Sequence, residues 1–263
     1  MSHWNQSRVI KLKSNLYSKS GEIIREIDLP KVFETVPRED LIRKAFRSST
    51  LSRRQPFGSY TFSGMRRVGH NLGPNHGISR IPRIAGGSRG VINASMVGGR
   101  SAHSPRNTKN LTIRINRNER RLALKSAISM TAVKSAVTAR GHKLSSEVQL
   151  PIVVEDAVAD ITRTRDALAL LSQMGIAEDI ERAKEGVRIR AGRGKMRGRK
   201  YKKPLSVLVV GTDKESLRPF GKISGVEIAD VRSMSIRRLA PGGVGGRLTL
   251  FTEGALKAMG ETE

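Results

Sequence analysis

Cysteine is absent from the 263 residues, which excludes disulfides and cysteine-ligated zinc. No apolar run approaches the roughly 20 residues that a membrane-spanning helix needs. The stretch Met1–Lys13 lacks the apolar centre of a secretory signal, so an intracellular, soluble protein is expected. Acidic residues are scarce: 23 Asp and Glu stand against 49 Lys and Arg, a formal net charge of +26. A compact chain with that surplus of one sign repels itself. A polyanionic partner removes the repulsion and gains the release of condensed counterions. Nucleic acid fits this description, and an anionic membrane surface is the weaker rival. Hydrophobic residues still make up 37% of the chain, enough to build a core and to exclude wholesale disorder.

The surplus charge is localised. Between Asp40 and Glu119 no acidic residue occurs. Segment 47–106 holds ten arginines and no lysine: Arg47, Arg53, Arg54, Arg66, Arg67, Arg80, Arg83, Arg89, Arg100 and Arg106. A second segment, 187–203, holds nine basic residues and no acid: Arg188, Arg190, Arg193, Lys195, Arg197, Arg199, Lys200, Lys202 and Lys203. The two supply nineteen of the twenty-six surplus charges. Segment 47–106 also has ten glycines, four prolines and apolar residues without a sustained period, so it cannot bury a core of its own. Such a long segment inside a compact domain is functional or disordered. As two antiparallel limbs of ~30 residues it reaches at most ~100 Å when fully extended. Arginine favours bidentate phosphate contact and stacking on bases, where lysine offers a point charge. His70, His76 and His103 fall in the same stretch and are read as contacts to phosphate or base.

Two segments, 1–46 and 107–263, read as one α/β body interrupted by the extended loop 47–106. Val9–Leu12 and Ile23–Ile27 are expected to pair as strands around Ser20-Gly21. A helix is expected over Arg38–Ser48. Asn116 and Glu119 have capping-box spacing before one apolar-faced helix that runs to Gly141. Ile152–Val154, Ser206–Gly211, Val226–Ala229 and Leu248–Phe251 read as short buried strands. Thr164 is expected to cap a helix ending at Gly175, and Thr252 a closing helix through Leu256. Strands alternating with helices imply a layered α/β domain with a mainly parallel sheet.

Enzyme motifs fail in turn. The run after Val210 has no dinucleotide glycine pattern, and Gly194-Lys195 is followed by Met196 where a phosphate loop needs Ser or Thr. There is no nucleophile elbow. Asp156 and Asp160 read as solvated carboxylates at a helix start. No catalytic residue, metal site or cofactor is expected.

Several stretches resemble a known family. They are Ile81-Pro-Arg-Ile-Ala-Gly-Gly-Ser-Arg89, Gly98-Gly-Arg-Ser-Ala-His-Ser-Pro105, the run from Arg190 to Pro204, and Leu239-Ala-Pro-Gly-Gly-Val-Gly-Gly-Arg-Leu-Thr249. Val32-Phe-Glu-Thr35 followed by Arg38-x-Asp-Leu-Ile42 belongs with them. In this order they are similar to large-subunit ribosomal protein four in its archaeal and eukaryotic form, over nearly the whole chain. The resemblance implies a structural protein of the large ribosomal subunit that binds large-subunit rRNA early in assembly. It implies that the loop threads into rRNA and that its tip, Arg66–Arg80 with Arg66, Arg67, Gly69, His70, Gly73, His76 and Gly77, lies beside the constriction of the nascent-peptide exit tunnel. Arg188–Lys203 would be a second rRNA contact. Neighbouring large-subunit proteins and the nascent peptide are the other implied partners, and no homo-oligomer is expected. The rival from another class is a chromatin-like DNA binder. An internal Arg/Gly loop, without helix-turn-helix or zinc-finger patterns, favours irregular RNA.

Overall fold

The computed structural model describes residues 12–66, 69–145 and 148–261. Strands β1 (Lys13–Tyr17) and β2 (Ile23–Asp28) form a hairpin, followed by helix α1 (Glu39–Leu51). After the arginine-rich segment come α2 (Arg117–Ser129), α3 (Lys134–Ala139), β3 (Ile152–Val154), α4 (Thr164–Gln173) and α5 (Ala177–Glu185). A short hairpin, β4 (Arg188–Ile189) and β5 (Tyr201–Lys202), precedes β6 (Leu208–Gly211), β7 (Glu227–Asp230), α6 (Ile236–Leu239), β8 (Thr249–Thr252) and α7 (Glu253–Glu261). The main sheet has the order β2-β1-β3-β8-β6-β7, parallel throughout except for the β1–β2 hairpin.

Period-two alternation sends side chains from one strand to opposite faces. Val153, Leu208, Val210 and Phe251 join one core with Leu41, Ala123, Leu239 and Leu256 from α1, α2, α6 and α7. Ile152, Val154, Val209 and Leu250 join the other with Leu170 and Ile180 from α4 and α5. Both faces are covered, which is why β3 and β6 are apolar without interruption and β8 keeps Leu250 and Phe251 at its centre. Phe33 meets Phe251 edge to face, with ring centroids 5.7 Å apart.

Tertiary contacts divide the chain into two units. One takes in the described residues up to Thr50 and from Arg114 onward, and the other is Leu51–Ile113.

Four local expectations change. The strand that pairs with Ile23–Asp28 is Lys13–Tyr17; of the expected Val9–Leu12, residues 9–11 lie outside the described residues and Leu12 precedes the strand. Its polar sequence hid it: Ser14 is buried because its hydroxyl donates to the Pro151 carbonyl at 2.5 Å. The single helix expected over 116–141 is two, separated by a 3-10 turn and an extended Val133 (φ −89°, ψ 104°). Asn116 does cap α2, its Oδ1 accepting from Asn118 N at 3.1 Å. Glu119 does not complete a capping box, since its carboxylate accepts from Lys44 Nζ on α1 at 2.7 Å. Thr164 is the first residue of α4, where Arg163 holds the cap position without a side-chain bond. Thr252 caps α7 as expected, its hydroxyl accepting from Ala255 N at 3.3 Å. Asp156 supports the same turn, with Oδ1 accepting from Gly254 N at 2.9 Å.

Candidate nucleic-acid interface

Nine arginines, Lys109 and no carboxylate make up the charged side chains of Leu51–Ile113. The unit is tied mainly by its backbone. Ser59 N donates to the Pro105 carbonyl at 3.0 Å. Gly58 lies so close to the opposite limb that a Cβ there would meet Asn107 N at 2.5 Å, so only glycine fits. Further along, Gly64 lies against the Arg100 side chain. Beyond these limbs, His70 and Arg83 exchange both backbone hydrogen bonds, 3.0 and 2.9 Å, and Arg83 also bridges to Gly90. Among the described residues of this unit Val91 is the one buried apolar side chain, while ten large apolar side chains are exposed. A fold that buries so little apolar area cannot offset the entropy of ordering its own chain.

The expected contact residues are distributed unevenly. Arg47 lies exposed on α1, inside the body. Arg53, Arg54, Arg66, Arg80, Arg89, His103 and Arg106 are exposed, Arg100 is half-buried, and Arg67 lies outside the described residues. Arg83 is turned inward: Nη2 donates to Ser79 Oγ at 3.1 Å, Nη1 donates to the Ser88 carbonyl, and Nε is buried without a partner. Its guanidinium organises the unit. At the expected tip, Gly69 and His70 belong to the rung with Arg83, whereas Gly73, His76 and Gly77 lie on the loop that leaves it. Gly73 N donates to Asn71 Oδ1 at 3.0 Å, and Asn75 adopts a left-handed φ of 69°.

The second basic segment folds as a hairpin. Arg188 pairs with Lys202 and Ile189 with Tyr201, and Arg190 N donates to the Lys200 carbonyl at 2.8 Å. Arg190 Nε donates to the Arg199 carbonyl at 3.2 Å, closing the turn that carries Arg193, Lys195 and Arg197. Arg190 is half-buried; Arg188, Arg193, Lys195, Arg197, Arg199, Lys200, Lys202 and Lys203 are all exposed. Nine cations on so short a hairpin make a dense anion-attracting surface.

A third basic surface escaped the sequence reading. Lys214, Arg218, Lys222 and Arg238 border a shallow cleft of about 360 Å³ over edge strand β7. The one acid lining it, Glu227, accepts from the wholly buried Arg247 at 2.6 Å. Burial pushes the Arg247 guanidinium below its ordinary range, and the Glu227 hydrogen bond works against that push. The cleft is therefore strongly cationic. Lys214, Arg218 and Lys222 are spaced four apart in the turn segment 214–222 and Arg238 comes from α6, so no uninterrupted charge run announces it.

A model of the ribosomal protein L4/L1 family matches residues 27–262. The chain belongs to the ribosomal protein L4/L1 family. It is 59% identical over 251 residues to large ribosomal subunit protein uL4 of Thermoplasma acidophilum, covering 95% of this chain and 98% of that relative. The Methanocaldococcus jannaschii protein of the same name is 45% identical, covering 95% and 99%. That of Saccharolobus solfataricus is 38% identical over 255 residues, covering 96% of each.

Members of a ribosomal protein family are structural, and this chain is not an enzyme. The body does bring a serine, a histidine and an aspartate together, but not in catalytic order. Ser206 Oγ donates to Asp179 Oδ2 at 2.5 Å, and His142 Nδ1 meets the same oxygen at 3.0 Å. A catalytic triad needs the histidine between the other two. Here the serine is bound directly to the carboxylate, and all three residues are buried. Arg182 Nε and Lys143 N also donate to Asp179, at 2.9 and 3.1 Å. Burial alone raises the Asp179 pKa, but the bonds from His142, Arg182 and Ser206 outweigh it and hold the carboxyl well below its usual range. The cluster ties α5 to its neighbours. Among the described residues, no group of His, Asp and Glu side chains is placed to hold a metal, and no helix is long and apolar enough to cross a membrane.

Proposed function

We propose that this chain is a structural constituent of the large ribosomal subunit in the cytoplasm and binds large-subunit rRNA early in assembly. Segment 51–113 and the hairpin 188–203 are the contact surfaces. The single observation that carries the reading is the composition of 51–113 against its burial. It has ten cations, no carboxylate and one buried apolar side chain among its described residues. Such a unit becomes fully ordered by surrounding itself with polyanion. RNA of irregular tertiary shape suits it better than a regular DNA groove, because its described residues from Ser52 onward are looped and form no helix. Family membership supports the same assignment, as relatives across archaea are large-subunit proteins. Carried over from the family, the loop tip around Arg66–Arg80 lies beside the tunnel constriction, within reach of the nascent peptide. Neighbouring large-subunit proteins are the other partners, and the chain acts as a single copy.

The test is binding of the purified full chain to transcribed large-subunit rRNA, in competition with duplex DNA of equal phosphate concentration. Preference for the rRNA that survives raised salt supports the reading. Equal competition by DNA overturns it in favour of a general polyanion binder.

A further inference from the structure

We propose that Phe57, Tyr60 and Phe62 form a stacking site for unpaired RNA bases. This rests on the reading that RNA is the partner, and adds that bases are gripped as well as phosphates.

The observation is where aromatic rings face water. Among the described residues, Phe33, Phe220 and Phe251 are buried in the body. Of the described rings, those that are exposed are Phe57 (56%), Tyr60 (61%), Phe62 (59%) and Tyr201 (52%). All four lie in the two carboxylate-free basic segments. Three of them carry a cation over the ring. The Arg54 guanidinium sits 5.0 Å from the centroid of Phe57, that of Arg66 5.7 Å from Tyr60, and Lys200 Nζ 5.5 Å from Tyr201.

In 57–62 three exposed rings lie within six residues, and two of them pack together. Tyr60 and Phe62 meet edge to face, with centroids 5.9 Å apart and planes at 63°. The backbone that carries them is held in place: Ser59 N donates to Pro105 O, Ser63 N to Tyr60 O, and Met65 N to Phe62 O, each at 3.0 Å. The rings are thus presented and left more than half uncovered. A partner that matches these rings and their guanidinium groups is flat, apolar on its faces and attached to negative charge. A nucleobase on its phosphodiester has all three properties: the base stacks on the ring while Arg54 or Arg66 meets the phosphate. An apolar protein surface would bury the same guanidinium groups without offering them an acceptor. A perfect duplex hides its base faces, so the ligand is an unpaired base.

The experiment compares the full chain with its F57L/Y60L/F62L variant, which keeps apolar bulk but removes the aromatic faces. Each is titrated with a single-stranded RNA and with a duplex RNA of the same length, across a range of salt. The expected result is an affinity for the single strand lower by roughly five- to 150-fold for each stacked base lost. The slope of log affinity against log salt stays unchanged, because no phosphate contact is removed. Duplex affinity stays unchanged too, which also shows that the variant is folded, and Y60F alone binds like the parent chain. Unchanged single-strand affinity, or an equal loss on duplex with a shallower salt slope, overturns the stacking site and leaves the RNA reading standing. A parent chain that binds neither RNA overturns both. Photocrosslinks mapped to the 57–62 peptide and joined to bases would corroborate the positive result.

Discussion

Ser206 and Asp179 share a 2.5 Å hydrogen bond in which both side chains are completely buried. That bond joins α5 to the chain entering β6. The same carboxylate reaches His142 after α3 and Arg182 one turn along α5. One acidic side chain therefore holds together three separate parts of the body, which explains why an aspartate is kept in the interior of so basic a protein.

Replacing Asp179 by alanine removes the common acceptor and leaves buried donors without partners. The expected cost is about 3–5 kcal/mol of stability, as when one partner of a buried ion pair is deleted, read by urea or thermal unfolding. The sign of the pH effect follows from the depressed carboxyl. Its stabilisation is fully present above the ordinary carboxylate pKa of about 4 and is lost as pH falls through the still lower folded value. Stability of the parent chain should fall as the pH drops below about 4, and an Asp179→Asn variant should show a flatter dependence there.

None of the described residues of segment 51–113 belongs to either core cluster of the body. Its limbs meet where Ser59 N donates to Pro105 O at 3.0 Å. Replacing residues 60–104 by a short Gly-Ser linker should therefore leave the body's thermal transition in place while removing most of the affinity for rRNA. Loss of the transition would show that the segment is part of the body's fold.

Gly246 has a left-handed φ of +79°, and a Cβ there would meet the Ala136 backbone at 2.7 Å. Gly246→Ala combines backbone strain with a clash against a helix that cannot easily retreat. A loss of at least ~2 kcal/mol is expected, measured by denaturant unfolding.

Much of the body was legible from local sequence. The apolar runs of β3 and β6 and the Leu250-Phe251 centre of β8 reflect burial on both faces of a parallel sheet, and Asn116 and Thr252 are caps in fact as well as in pattern. What stayed hidden depends on contacts between distant segments. Helix α5 reads as nearly all charge, because the residue it buries at its start, Asp179, is acceptable inside only beside His142 and Ser206. The apolar face of 116–141 runs across a break at Val133 that no propensity marks; the break is where Gly245 packs against Met130 and Gly246 against Ala136. The arginine-rich segments stand out by charge alone, but charge does not reveal that Arg83 turns inward to Ser79 and Ser88. Nor does it reveal a cleft assembled from Lys214, Arg218, Lys222 and Arg238.

The hairpin 188–203 acts through phosphate contact, so its contribution has a distinct signature. An R193Q/R197Q/K200Q variant removes exposed cations without touching Arg190, whose Nε bond to Arg199 O holds the turn. Affinity should fall about equally for all RNA sequences, and the salt slope should shrink by up to about three if all three side chains meet phosphates. Titration at several salt concentrations checks this.

Sedimentation of the tagged chain from cell lysate through a sucrose gradient in high salt, with sequencing of ultraviolet-crosslinked RNA from the same fractions, tests the central claim most directly. The prediction is co-migration with large subunits and crosslinks concentrated in large-subunit rRNA. Protein that strips to the top of the gradient, or crosslinks mainly to messenger RNA or DNA, would contradict it.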